Sequence, residues 1–510
     1  SIFHGQSERN QTMFRGDYQY DNNNNITLLF LNSIGKYQIP TSPGLEANPT
    51  ILGLLPGGFT PVPSEMVDEN QKENNQYGHL VWRHDINTKN FFSLAGYFRH
   101  TRATFRTDPL NVLAYVPEEE VGEPFSAGSQ DRIGYSGGVR MDYTYVHSKE
   151  HLIKAGFQID RTQAINKTRL FTFLDNGVGN PIGGVINAGG DNRLIGWRQE
   201  FWIQDQWTPN EHWTFNLGVR ADVVQYQREE GQISPRVGVT YRYNPAHAFH
   251  AFYGRMFTPP NLERVAFTSL NTEGTKAHPE DTTNNQPRAE RAHYFQIGSV
   301  HALTDWATLQ LTGYYKLANY LSDAHQLGTT PLLNHIAFER GWTRGADAAL
   351  KVWFMENLTG RANIAWGQCK GYGLQSGHNL VHEEELADIN SRSGVHCDHQ
   401  QTLTASGILS YRLLDRTTLT GQVLFASGLR TAEEGAKTNS SHSPTYTIYN
   451  FSISHVIPLP WHGQKFLIGF DIVNALDQRY FINQGEGSIG LGVSHAGMPR
   501  SFFFRGQWFF

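Results

Sequence analysis

Residues 213–223 alternate without interruption: Trp213, Phe215, Leu217, Val219, Ala221 and Val223 share one parity, and Thr214, Asn216, Gly218, Arg220 and Asp222 the other. Successive side chains of an extended chain point to opposite faces, so this segment has one apolar face and one that suits water. The pattern recurs at 465–472, where Phe466, Ile468, Phe470 and Ile472 oppose Lys465, Leu467, Gly469 and Asp471. It recurs at 307–316, where Ala307, Leu309, Leu311 and Tyr315 oppose Thr308, Gln310, Thr312 and Lys316. A run of about 18 apolar residues, the minimum for a membrane-crossing helix, occurs nowhere, which excludes helical spans. The terminal segment 501–510 carries Phe502, Phe504, Trp508 and Phe510 on one parity, aromatic surface that suits hydrocarbon better than water.

With 510 residues the chain exceeds a usual single soluble core, leaving a membrane barrel or a multidomain soluble protein. Aromatic residues reach 13%, charged residues only 17%, and the mean hydropathy is -0.46. An average over faces that alternate between lipid and lumen looks polar, so this mean does not oppose a membrane barrel. The net charge of -5, with Lys and Arg dispersed, provides no nucleic-acid surface.

Connections alternate between short and long. Short ones fall at 22–25, 87–89, 148–150, 209–212, 244–247, 303–305, 356–357, 414–416 and 458–463. Long ones fall at about 38–74, 108–131, 169–194, 258–287, 372–398, 431–444 and 482–497, with 321–335 intermediate. Short turns on one rim and long loops on the other are the mark of an outer-membrane barrel, the turns facing the periplasm. The segments between them predict 19 strands: 12–21, 25–37, 75–86, 90–107, 132–147, 151–168, 195–208, 213–228, 233–243, 248–257, 288–302, 306–320, 336–353, 358–371, 399–413, 417–430, 445–457, 464–481 and 499–510. Bacterial single-chain barrels use an even number. Segment 12–21 ends at a short turn and so descends toward the periplasm, which leads to the expectation that an odd number of strands, three, precedes Ser1.

Several fragments resemble the TonB-dependent outer-membrane receptor family. Trp202-Ile203-Gln204-Asp205-Gln206-Trp207 followed by Trp213 to Arg220 is similar to its mid-barrel hairpin. Ser234 to Val239, then Ala251 to Asn261, resemble the next two strands, and Val473 to Phe481 with Pro499-Arg500-Ser501 the closing pair. The match lies in their order and spacing across roughly 200–510. The resemblance implies an all-β transmembrane antiparallel barrel of the 22-stranded type, of which about 19 strands are visible, filling residues 1–510 as one barrel domain. It also implies an N-terminal plug, which lies outside this sequence together with the TonB box. The implied function is TonB-dependent uptake of a scarce nutrient complex, first among them a ferric siderophore. Partners would be outer-membrane lipid and lipopolysaccharide, the plug, and through it TonB with its inner-membrane motor. The alternative is a non-transporting barrel that serves as a structural or docking part of an outer-membrane assembly.

A large, often anionic and partly aromatic complex would be held by charge-assisted hydrogen bonds and stacking. Tyr253, Arg264, Phe267, Arg291, His293 and Tyr294 lie in or beside the 258–287 loop and form the candidate ligand set, although for any single aromatic the interfacial girdle or barrel wall is the leading reading. His378, His382, His396 and His399, beside Glu383, Glu384, Glu385 and Asp398, could bind a divalent ion, against the reading of a solvated acidic loop, since no zinc-type spacing is present. No resident cofactor is expected, only an iron complex as substrate or such an ion. Arg220, Asp222 and Arg236, facing the lumen, are expected to pair with one another or with a plug.

Cys369 and Cys397 stand at the tops of two sequential strands. In an envelope compartment they form a disulfide or remain two free thiols, and a bond would shape the intervening loop. Ser494, His495 and Asp471 make a nucleophilic triple only on paper, and nothing else suggests an enzyme.

Overall fold

The computed structural model describes residues 5–39, 41–265, 270–278, 286–326, 330–377, 383–432, 436–460, 463–483 and 495–509. Its main element is one antiparallel sheet of 21 strands in which sequential strands are neighbours. Two of the 21, Pro181–Asn187 and Val395–His396, are short additions to loops, which leaves nineteen long wall strands from Ser7–Asp21 to Ser501–Phe509. Each of the nineteen expected segments overlaps one of these. No described helix is long and apolar enough to cross a membrane. Among the described residues the sheet has two edges, because Ser7–Asp21 pairs only with Asn24–Gln38, and Ser501–Phe509 only with Lys465–Val473.

Cross-strand partners extend the alternation of single strands around the wall. Leu217 lies opposite Val237, which lies opposite Tyr253, then Phe295, then Tyr315. This row and its neighbours Ile297, Leu311 and Ile364 are exposed apolar surface, the outer face. Phe502, Phe504 and Trp508 join it opposite Ile472, Phe470 and Phe466, and Phe504 is 85% exposed; Phe510 lies outside the described residues. Gly78 is needed on this face, because a Cβ there would sit 2.1 Å from the Phe98 ring that crosses it from the neighbouring strand.

The opposite parity faces the lumen and is polar. The Arg505 guanidinium donates to both Asp471 oxygens at 2.6 and 2.9 Å and to Ser452 Oγ at 3.1 Å. Phe503 also takes this parity and is 44% exposed.

On the long-loop rim several strands outrun the alternation. His151–Asp175 and Leu358–Gly377 continue past the expected loop starts at 169 and 372, and Ala307–Gln326 continues past 320. Above the bilayer both faces meet water or other loops, so apolar alternation stops while backbone pairing goes on. The expected strand 464–481 ends instead at Val473, because Asn474 (φ 50°) and Asp477 (φ 52°) turn the chain. Asn474 is 1% exposed; its Nδ2 donates to Gln478 O and Met498 O, and its Oδ1 accepts from Gln478 N. Asn tolerates positive φ, and these bonds hold it there.

Candidate functional site

The long-loop rim is built as a set of small cores. Ile51, Leu55, Leu113, Val121, Phe125 and Phe173 bury one another, so the loops around 49–55 and 109–125 pack on the extended strand His151–Asp175. Phe105, Leu170, Ala188, Ala277 and Leu332 form a second cluster. These contacts carry the loops that follow His247–Thr258 and Ala307–Gln326 to the far part of the wall. Leu332 and Thr330 meet Gly128, where a Cβ would come within 3.0 Å of either side chain.

Lys276 is the hub of this arrangement. Its side chain is 2% exposed, Nζ donates to Gly122 O at 2.7 Å and Gly179 O at 2.6 Å, and Asp175 lies 3.7 Å away. One ammonium therefore ties three loops together. Earlier in the same loop, the short helix Leu262–Val265 enters the mouth: Leu262 is buried beside Tyr226 and Gly196, and Glu263 accepts from Arg99 at 3.2 Å. Gly134 makes room for that carboxylate, since a Cβ there would lie 2.2 Å from Glu263 Oε1.

Below the helix, the lumen wall carries a continuous polar ladder. Tyr97 OH donates to Asp160 at 2.9 Å, and Arg198 joins Asp160 at 3.0 Å to Glu200 at 3.3 Å. Arg220 then links Glu200 at 2.6 Å to Asp222 at 2.7 Å. The expected pairing of Arg220 with Asp222 is present and extends to Glu200 and Arg198, which sequence reasoning missed. Their shared even parity on the adjacent strands Gly190–Trp207 and Trp213–Gln225 was the available signal. Trp202 takes the same parity and lies under the Arg140 guanidinium at 4.9 Å.

The four candidate ligand residues whose side chains are described do not converge. Tyr253 and His293 stack at 6.1 Å with the hydroxyl 3.0 Å from His293 Nδ1, but on the outer face. Only Tyr294 is on the lumen parity, stacked on Tyr314 at 6.3 Å and donating to Gln296 at 3.1 Å. Arg291 is paired with Glu230 at 3.0 Å. Arg264 lies in the helix Leu262–Val265, its side chain outside the described residues, as is Phe267 altogether. A lumen-parity residue that sequence reasoning passed over is Tyr314, and near it Arg288 and Tyr320 form a bonded pair. Arg288 donates to Tyr320 OH at 2.6 Å, and Lys316 beneath them bridges to Glu290 at 2.6 Å. Tyr314 falls between Thr312 and Lys316 on the water-facing parity, so the signal was present.

The second loop cluster is anchored by its disulfide. Cys369 and Cys397 are bonded with a Cα–Cα distance of 5.4 Å. Val395–His396 pairs beside the upper part of Leu358–Gly377, and the helix Glu383–Asn390 places Leu386 and Ile389 against Leu321, Phe338 and Leu374. Of the four histidines, His378 and His382 lie outside the described residues. His396 donates to Cys369 O at 3.1 Å, and burial, with Arg430 and Lys370 nearby, holds its pKa below the ordinary histidine value. His399 is 3.3 Å from Asp398 and exposed. Among the described residues no three His, Cys, Asp or Glu side chains are placed to share a metal ion.

A many-stranded antiparallel wall with an apolar exterior, a polar lumen, short turns on one rim and docked long loops on the other defines a transmembrane barrel of the bacterial outer membrane. The chain belongs to the TonB-dependent receptor family: the family model described as TonB dependent receptor-like, beta-barrel matches residues 3–474. Its fold is similar to that of the ferric-catecholate import receptor Fiu from K12 E. coli, with TM-score 0.64 and 10% identity over 99% of this chain and 75% of that one. The siderophore receptor PiuA from Acinetobacter baumannii gives 0.65 and 13% over 98% and 74%. The ferric citrate transporter FecA gives 0.65 and 12% over 99% and 70%. No curated protein matches the sequence significantly. The family and these neighbours are receptors and transporters rather than enzymes.

Proposed function

We propose that this barrel forms the wall and recognition loops of a receptor for an iron complex, a ferric siderophore, which it takes up in a TonB-dependent way. The observation that carries the reading is the long-loop end of the wall, where Tyr294, Tyr314 and Lys316 take the lumen parity, Arg288 and Tyr320 are bonded nearby, and the helix Leu262–Val265 reaches Arg99. Guanidinium and ammonium groups suit an anionic complex, and phenol rings offer both stacking faces and hydroxyl donors. Several neighbours of the same fold are receptors for such cargo: Fiu for ferric catecholates, PiuA for a siderophore and BauA for ferric preacinetobactin.

The transport step involves no bond making. Loops capture the complex at the mouth, and the polar lumen wall passes it in a step that TonB drives. The test is uptake of radioactive iron, presented as a panel of catecholate, hydroxamate and citrate complexes, by cells whose other iron receptors are deleted. Uptake that needs both this protein and TonB is expected, with at least a tenfold loss in the Arg288→Ala/Tyr320→Ala double variant. No uptake of any iron complex, while the protein is present and folded in the outer membrane, would overturn the reading.

A further inference from the structure

Outward residues of the strand Leu333–Met355 run Phe354, Val352, Leu350, Ala348, Ala346 and then Arg344, Trp342 and Arg340. At about 3.3 Å per residue and about 45° of tilt, the ten residues from Phe354 to Arg344 rise about 23 Å, nearly the whole apolar band of about 25 Å. The basic residues therefore begin where the hydrocarbon ends on the long-loop side. There the outer face is not a plain girdle. It opens into a cavity of about 470 Å³ lined by His293, Leu317, Trp342, Tyr372, Arg340 and Arg392.

The cations around this cavity are held in place by rings and neutral groups. Arg344 lies over Trp342 at 4.7 Å and over Trp366 at 5.7 Å, and donates to Gln368 at 2.8 Å. Arg340 lies over Tyr372 at 5.9 Å, and Trp342 Nε1 donates to Tyr372 OH at 3.1 Å. Behind them Lys370 donates to Ser393 O at 3.3 Å, and Lys437 to Ser391 Oγ at 2.8 Å. Among the described residues none of Arg340, Arg344, Lys370, Arg392 and Lys437 is ion-paired with a carboxylate. By contrast, the arginines on the lumen ladder are all paired. Arg340 and Arg344 take the outer parity beside this aromatic-walled cavity, with Arg392 on its lining, so an anion that approaches from the membrane would meet them together.

We propose that this patch is a specific binding site for a phosphorylated lipid headgroup of the outer leaflet, the phosphates of lipid A, with an acyl chain lying along Leu317 and the apolar face below. Arginine forks suit phosphate bidentately, and Trp342 and Tyr372 suit the boundary between headgroup and acyl chains. The site lies outside the barrel and is independent of any cargo in the lumen.

The test is native mass spectrometry of the full-length protein in detergent, titrated with bisphosphorylated lipid A, its dephosphorylated form and inorganic phosphate. At least a tenfold weaker retention of lipid A is expected in the triple variant Arg340→Gln/Arg344→Gln/Arg392→Gln, and an equal loss in the wild type when the lipid lacks phosphate. Arg361→Gln, a cation of the opposite parity near the short-turn rim, should bind like wild type. Arg392→Gln alone, on an exposed turn outside the strands, should still lose about threefold and covers the case in which the triple variant does not fold. Unchanged retention in the variants, equal binding of dephosphorylated lipid, or full competition by inorganic phosphate at micromolar concentration would overturn the proposal.

Discussion

Glu69 sits where the second long strand pair leaves the bilayer, 1% exposed, with Oε1 accepting from Thr107 Oγ1 at 2.6 Å. Burial raises its carboxyl from 4.5 to about 7. Between those two values the folded loop holds a proton that the unfolded chain has released. Local stability is therefore full below pH 4.5 and falls as pH rises through about 7, by about 3 kcal/mol. Amide exchange of Ile39, whose N–H donates to Glu69 O, should speed up between pH 5.5 and 8 beyond the intrinsic chemical rate. The isosteric, uncharged Glu69→Gln should abolish that excess; the same excess in the variant would refute the assignment.

At the scale of elements, the loops are folded units, and each has a fastener. Lys276 binds two carbonyls and a carboxylate from two other loops, so Lys276→Ala strands buried acceptors at a cost of about 2–4 kcal/mol. Limited proteolysis should then nick the segments around 116–123 and 176–180 several-fold faster, with the membrane wall untouched. The Cys369–Cys397 bond closes 28 residues and restrains the helix Glu383–Asn390 by about 3–4 kcal/mol in the chain-entropy view. In the Cys369→Ser/Cys397→Ser variant, hydrogen exchange of that helix should accelerate while that of Leu403–Leu414 stays constant. Equal protection in both forms would show that Ile389 and Leu386 suffice to hold the loop.

For the whole molecule, the decisive assignment is which face meets lipid. Ile297 is 68% exposed on the outer parity, while Gln310 belongs to the lumen parity of the next strand. Ile297→Lys should cost about 2–4 kcal/mol in a bilayer, and Gln310→Lys close to nothing. Equilibrium unfolding in lipid vesicles would measure both; a reversed order would turn the barrel inside out and remove the basis for the lipid site.

The wall was legible in the sequence because alternation is local. Trp213 to Val223 or Phe466 to Ile472 states its own two faces without reference to any partner, and the short turns locate the strand ends. That is why all nineteen segments hold strands, while their upper ends at 169–175 and 372–377 were missed, where lipid no longer enforces the pattern. The pairing of Arg220 with Asp222 was readable for the same reason, being two residues apart on one face. What the chain alone could not convey is which parity of Tyr253, His293 and Tyr294 points inward, since parity must be propagated strand by strand from a known face. Nor could it show that Lys276 meets Gly122 across 154 residues or that Glu263 reaches Arg99 across 164. Those contacts depend on the curvature of the sheet and on loops crossing its mouth, geometry that arises only when every strand has taken its register.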